Sequence, residues 1–158
     1  MLVFRLVCAA LMAWAVSWSL SRAEAVTLLQ VLPEMETLAP IAAGVVGYFN
    51  LAVRQGWGFI VAFANGIWAG VLAIAVSGAL FMCLRIINGI RAQEIQDFDE
   101  FLSAFSAAFE PLVEQMVNLP LLITSLGATA VVGVITELVH WLLVRVRQGK
   151  GGQSRSST

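Results

Sequence analysis

The sequence predicts an all-α membrane protein with about four transmembrane helices plus one amphipathic interfacial helix. The residues from Phe59 to Leu84 include no charged side chain, and as a helix they reach roughly 39 Å, enough to cross a hydrocarbon layer of about 30 Å. Three further apolar runs accompany this one. The chain is 59% hydrophobic and 12% charged, whereas soluble domains have roughly 45–50% apolar and about 25% charged residues. Backbone groups inside a bilayer must pair internally, so these runs are expected to be helices.

Charge and cysteine content exclude several classes of protein. The formal net charge is −1, which argues against a nucleic-acid-binding protein, since such proteins need a concentrated basic face. Cys8 and Cys83 fall in different apolar runs and at ends expected on opposite membrane faces, so no disulfide between them is predicted. We expect a single transmembrane helical domain over residues 1–147.

The first predicted span covers about residues 4–21, and two interpretations of it stay open. Arg5, an uncharged run and the Ala-x-Ala pattern at residues 23–25 are compatible with a cleaved signal peptide. Trp14 and Trp18 instead favour a retained helix, because such aromatics are typical of the membrane interface. We favour retention.

A connector then leads to a pair of closely linked spans. Pro33 and Pro40 predict a turn-rich loop between the first span and the second. The second and third spans are predicted at about residues 38–54 and 57–84. Because only a tight turn separates them, they must be antiparallel neighbours.

The segment at about residues 96–117 has the pattern of an amphipathic helix. Its apolar side chains recur at helical spacing, and they are Phe98, Phe101, Leu102, Phe105, Ala108, Phe109, Leu112, Val113 and Met116. The polar side is acidic, whereas helices that bind anionic lipid are usually basic. We therefore favour packing on the bundle over binding to the membrane surface. Pro111 is expected to kink or divide the helix.

The last predicted span covers about residues 119–144, and residues 148–158 are predicted to form a disordered cytoplasmic tail. Four spans put six of the nine basic residues on one side, namely Arg5, Arg54, Arg145, Arg147, Lys150 and Arg155. The other side has Arg22, Arg85 and Arg91. The excess of cytoplasmic Lys and Arg in such proteins predicts that both termini are cytoplasmic.

Glycines at helical spacing indicate close helix packing. Gly66 and Gly70 form a GxxxG pattern in the third span, which lets another backbone approach. Gly127 and Gly133 give the last span a comparable face. We expect these faces to pack within one bundle; the alternative is a dimer interface.

The only buried polar centre that the sequence suggests lies near the cytoplasmic end. This candidate polar cluster consists of Asn50, Arg54, Asn65 and Glu137. A carboxylate in a span is a functional candidate, with Arg54 or Arg145 as its expected partner, although a snorkelled interfacial carboxylate is the simpler interpretation. Glu137 and His140 have the spacing of a bundle metal motif, but the chain has one histidine and such sites need more ligands.

No catalytic pattern appears in the sequence. There is no nucleophile–base pair, phosphate loop or Cys-x-x-Cys, so we expect no enzyme activity, no cofactor and no metal. Asp97, Asp99 and Glu100 lack the glycine and closing glutamate of a calcium loop and are expected to be solvated. The predicted partner is the lipid bilayer, with a homo-oligomer or a larger membrane complex as further options.

Several segments together carry a resemblance to a known family. They are Leu32-Pro33-Glu34, Val46-Gly47-Tyr48, Arg54 with Gly56 and Gly58, residues 62–71, the acidic segment 98–114, and residues 133–145 with their glutamate. In these the chain resembles the TrgA family of small bacterial inner-membrane proteins associated with tellurite resistance. The resemblance implies a contribution to tellurite or envelope-stress tolerance.

Two other functions are weighed beside this one. A small oligomeric transporter or channel would use the candidate polar cluster and would assemble through Gly66 and Gly70. An accessory subunit would join a larger membrane complex. Asp97, Asp99 and Glu100 on the outer face would repel an oxyanion such as tellurite, which disfavours an uptake pore.

Overall fold

The computed structural model describes residues 2–22, 26–53, 56–92, 95 and 97–152. Within these residues the chain is helical and contains no β-strand. The helices are α1 (Leu2–Leu20), α2 (Val26–Val31), α3 (Met35–Phe49), α4 (Phe59–Arg91), α5 (Phe98–Met116) and α6 (Leu119–Gly152), and a short 3-10 turn at Leu51–Val53 follows α3. The predicted all-α fold class is confirmed.

Four segments are long and apolar enough to cross a membrane. They are Leu2–Leu20, Met35–Val53, Phe59–Arg91 and Leu119–Val146. Each contains one of the four predicted spans in whole or in large part. The chain is therefore a multi-pass membrane protein. The predicted cleavage motif at residues 23–25 lies outside the described residues, so the choice between a signal peptide and a retained helix stays a prediction.

The four spanning helices form a closed ring in which each helix contacts two others. Contacts join α1 with α3, α3 with α4, α4 with α6, and α6 with α1. Neighbouring helices are antiparallel, as α1 and α3 illustrate. The later Gly47 of α3 lies against the earlier Cys8 of α1, whereas Gly44 lies against Ala13. The result is an antiparallel four-helix bundle.

The two ends of the bundle differ. One end, called the Glu137 end, contains the start of α1, the loop between α3 and α4, and Glu137 on α6. The other, called the α5 end, contains α2, α5, the end of α4 and the start of α6. Between the two ends, small residues let the helices pack closely. At Gly47, for example, an added Cβ would lie only 2.7 Å from the Cys8 carbonyl oxygen.

The connector before α3 is more helical than its prolines suggest. Residues 26–31 form α2, and α3 begins at Met35 and continues through Pro40. Pro40 lies just beyond the first turn of α3, so it removes one intrahelical hydrogen bond, to the carbonyl of the exposed Glu36. Met35 is almost completely buried, so extending α3 toward its N-terminus stabilises the α5 end.

Helix α5 is continuous through Pro111, so the expected division of the helix at this residue is wrong. The carbonyl that Pro111 leaves unbonded belongs to the exposed Ala107, where water can bind it. Ala108 and Leu112 are buried in a cluster with residues of α2, α3, α4 and α6. The predicted packing of α5 on the bundle thus involves a narrow part of its apolar face.

Helix α6 is longer than its predicted span. It continues to Gly152, past the expected start of the disordered tail at residue 148. Arg147 and Gln148 are good helix formers, whereas Gly149, Gly151 and Gly152 are poor ones, so residue propensity does not account for the last turn. The rest of the predicted tail lies outside the described residues.

Candidate functional site

The most distinctive polar contact of the bundle is made by Glu137. Its side chain is buried, with 6% exposure, at the Glu137 end of α6. The Gly56 backbone N–H donates to its Oε2 at 2.8 Å, and the Gly58 N–H donates to its Oε1 at 3.1 Å. Both oxygens accept, which is the pattern of an ionised carboxylate. One carboxylate thus joins α6 to the loop that precedes α4.

The loop can present these donors because both residues are glycines. Gly56 has φ of 93°, and Gly58 has φ of 98° and ψ of 162°. The second conformation is essentially restricted to glycine. Gly58 is also the residue before the first turn of α4, and no side chain caps this helix locally. Glu137 therefore places a negative charge at the positive end of the α4 dipole.

Aromatic side chains lie beside this contact. The rings of His140 and Phe4 meet edge to face with centroids 5.8 Å apart. A Cβ on Gly56 would lie 3.5 Å from His140 Nε2. The imidazole therefore packs over the loop and against α1, and together with Phe4 it lines a pocket of about 290 Å³ at this end of the bundle.

The structure describes three members of the candidate polar cluster, Asn50, Asn65 and Glu137. Arg54 lies outside the described residues, and the guanidinium of Arg145, the other expected partner, lies 4.9 Å from the Trp141 ring centroid. Asn50 ends α3, where its N–H donates to the Val46 carbonyl.

The fourth member of the cluster, Asn65, lies deeper in the bundle. It is seven residues from Gly58 along α4, a distance of about 10 Å. The hydrogen bonds described above place Glu137 at the loop. We describe the Glu137 contact with the loop as a clamp, and use "Glu137 clamp" for Glu137, Gly56 and Gly58.

Gly66 and Gly70 lie in the interface between α4 and α6. A Cβ on Gly66 would be 2.5 Å from the Thr129 carbonyl oxygen and 2.8 Å from the Ala130 Cα. A Cβ on Gly70 would collide with the Thr129 hydroxyl. Gly133 on the opposite helix faces Gly66 and Ala62. The GxxxG face is therefore occupied within the monomer.

Gly127 differs from the other three glycines of the predicted packing faces. No atom lies within 4 Å of the position that its Cβ would take. It lines an open apolar groove between α1 and α6, beside Trp14 and Trp18. A close packing role at Gly127 is thus absent within the described part of the bundle.

The described interior of the bundle contains a small cavity and several buried or partly buried hydroxyl groups. A cavity of about 70 Å³ lies between α1, α3, α4 and α6. The hydroxyls of Ser19, Ser77, Thr129 and Thr136 each donate to a carbonyl three or four residues earlier in their own helix. Each of these four hydroxyls is thus paired with a carbonyl of its own helix.

A larger groove of about 880 Å³ separates α5 from the end of α4. Its charged lining consists of Glu34, Arg85, Asp99 and Glu100, so acidic groups outnumber basic ones. Arg85 is 4.0 Å from Glu34, and both side chains are largely exposed. Such an ion pair contributes little to stability, and the groove carries a negative potential.

Neither the geometry nor the comparisons assign a chemistry to the chain. Among the described residues, no group of three or more His, Cys, Asp or Glu side chains is placed to hold a metal ion. No protein-family model, curated protein or solved structure matches the sequence. The TrgA resemblance therefore stays a prediction.

The sequence reasoning missed Gly56 and Gly58 as partners of Glu137. A cation was expected as the partner of Glu137, because the identity of a residue does not show where its backbone N–H points. A signal was nevertheless present: two glycines separated by one residue, immediately before a long apolar run. Such a spacing is typical of successive N–H groups that converge on an anion.

We predict that Gly58→Ala lowers stability by about 1–3 kcal/mol, which is the cost of the backbone conformation alone. No atom lies within 4 Å of the added methyl group, so steric collision is not involved. The matched control is Gly127→Ala, which also enters open space but in a helix, where alanine is favoured over glycine. Thermal unfolding in detergent measures both; equal melting temperatures would contradict the prediction.

Proposed function

We propose that the chain is a non-enzymatic inner-membrane protein of TrgA type that contributes to tellurite or envelope-stress tolerance. The proposal rests on the sequence resemblance and on the positions of the resembling residues in the bundle. The multi-pass all-α architecture is compatible with it. We further propose that both termini are cytoplasmic, because the Glu137 end carries the larger share of Lys and Arg.

The observation that carries the proposal is the location of the resembling residues. Gly56 and Gly58 donate to Glu137, and Gly66 and Gly70 contact α6. Residues from three separate segments of the resemblance thus meet in two contacts of α6, one with the loop before α4 and one with α4 itself. This supports a family relation based on a shared bundle instead of a shared catalytic group.

Two features favour this function over the transporter. The transporter hypothesis needs Gly66 and Gly70 for assembly, but α6 already covers them. The negative groove at the α5 end, with Asp99 and Glu100 in its lining, would repel an oxyanion before it reached the bundle. A role in tolerance that does not move tellurite inward fits both features.

The test is deletion of the gene and complementation in a strain that carries it. We expect deletion to lower the tellurite concentration that stops growth, and the wild-type gene to restore it. Gly66→Leu should fail to complement because the bundle does not assemble, whereas Gly127→Leu should complement. Immunoblots of membrane fractions establish that each protein is made. Unchanged tolerance in the deletion strain, with the wild-type protein demonstrably expressed before deletion, would disprove the proposal.

A further inference from the structure

Helix α5 has a row of four phenylalanine rings, of which three are exposed and one, Phe101, is half-buried. The row consists of Phe98, Phe101, Phe105 and Phe109, and we call it the phenylalanine ladder. Successive ring centroids are 6.2, 6.3 and 5.7 Å apart. Phe98 is 73% exposed, Phe105 38% and Phe109 46%. The neighbouring Leu102 is 55% exposed, so a broad apolar strip beside the bundle contact is unpartnered.

The depth of α5 relative to the bilayer follows from the lengths of the spanning helices. Along α4, Gly58 and Phe81 are about 35 Å apart, and along α6, Glu137 and Leu121 are about 24 Å apart. Phe81 and Leu121 belong to the cluster that buries α5. These distances bracket the hydrocarbon thickness of about 30 Å. With the Glu137 clamp at one membrane boundary, α5 therefore lies at the other.

The connections of α5 keep it at that boundary. Its last residue, Met116, is separated by only two residues from Leu119, where α6 begins. Ala108 and Leu112 anchor its middle to the bundle. The helix cannot move into bulk water without breaking this packing, and the ladder remains beside the lipid.

We propose that the phenylalanine ladder inserts into the boundary between lipid headgroups and acyl chains, and that α5 thereby binds zwitterionic phospholipid, which has no net charge. An amphipathic helix at the interface buries its apolar face roughly 5–10 Å into this region. Aromatic rings contribute a large apolar area for this purpose. This inference does not depend on a role in tellurite tolerance.

The preference for zwitterionic lipid follows from the charge of α5. The helix carries Asp99, Glu100, Glu110 and Glu114 and no Lys or Arg. Interfacial helices that bind anionic lipid have basic polar faces, and here carboxylates would face the headgroups instead. An anionic surface therefore repels α5, and salt weakens this repulsion, because the screening length is about 10 Å at 0.1 M and shorter at higher ionic strength.

The experiment places single spin labels in the full-length protein in nanodiscs. Cys83 is replaced by alanine, and the remaining Cys8 is fully buried. Labels at Phe105→Cys and Phe109→Cys report on the ladder, and Ser106→Cys on the polar side is the matched control. In phosphatidylcholine we expect ladder labels to collide several-fold more with oxygen than with a water-soluble nickel chelate. The control label should show the reverse.

The lipid composition tests the second part of the proposal. In discs containing phosphatidylglycerol at low salt, the ladder labels should become more accessible to nickel, and added salt or the double change Glu110→Gln and Glu114→Gln should reverse this. Nickel accessibility at 105 equal to that at 106 in phosphatidylcholine would overturn insertion. Spin–spin broadening at 105 would indicate a second copy of the chain instead. No response to phosphatidylglycerol would overturn the lipid preference.

Discussion

Replacement of Gly66 by leucine is expected to prevent assembly of the bundle. Even a Cβ at this position would lie 2.5 Å from a backbone oxygen and 2.8 Å from a backbone Cα of α6. Backbone atoms in a packed helix cannot rotate away as a side chain can, so the two helices must separate. Overpacking typically costs about 1–3 kcal/mol and sometimes more, and here we expect the upper end or beyond.

Cys8 provides the measurement for this prediction. Its thiol is fully buried near the contact of α1 with Gly47, so a thiol-reactive dye labels it only when the bundle opens. In a Cys83→Ala background, Gly66→Leu should give dye labelling at low temperature. Gly127→Leu is the control, because its side chain enters open space, and it should melt close to the parent. A Gly66→Leu protein as resistant to the dye as the parent would rule out the packing described for α4 and α6.

Truncation of Glu137 to alanine is the second change with a large expected effect. It leaves the Gly56 and Gly58 N–H groups without their acceptor, and an unsatisfied donor costs about 1–3 kcal/mol when it is buried. Both hydrogen bonds are partly buried, so we expect a loss of about 2–4 kcal/mol in total. The dye assay on Cys8 measures the lowered melting temperature.

Two conservative variants separate the charge of Glu137 from its shape. Glu137→Gln keeps one acceptor but turns an NH2 group toward the other donor, so it should be intermediate. Glu137→Asp keeps the charge but is one methylene shorter, and it should lose reach to at least one glycine. If alanine, glutamine and aspartate all melt with the parent protein, the clamp does not stabilise the bundle.

The spanning helices could be predicted because their signal is local. A long run without charges, such as Phe59 to Leu84, predicts a transmembrane helix by itself. Gly66 and Gly70 further indicate a face of this helix that another backbone approaches. The partner helix was predictable only as one option, since the same glycines could equally have formed a dimer interface. The structure resolves this through Thr129 and Ala130.

The Glu137 clamp could not be predicted because its donors are backbone groups far away in sequence. The residue types suggested that Glu137 pairs with a cation, either Arg54 or Arg145. The direction of a backbone N–H depends on φ and ψ, which Gly56 and Gly58 adopt in the folded loop. The course of α3 through Pro40 was missed for a related reason, because burial of Met35 outweighs a lost hydrogen bond.

The clamp also sets an order of events during synthesis. Gly56 and Gly58 emerge from the ribosome well before Glu137, from which they are 81 and 79 residues distant. Chains are made from the N-terminus at roughly 5–20 residues per second. The N–H groups of Gly56 and Gly58 are therefore synthesised several seconds before the Glu137 carboxylate that accepts from them. During this interval the loop N–H groups must bind water or another protein. Entry of α6 closes the helical ring and supplies the acceptor for the loop, so the bundle is complete only after Glu137 has been made.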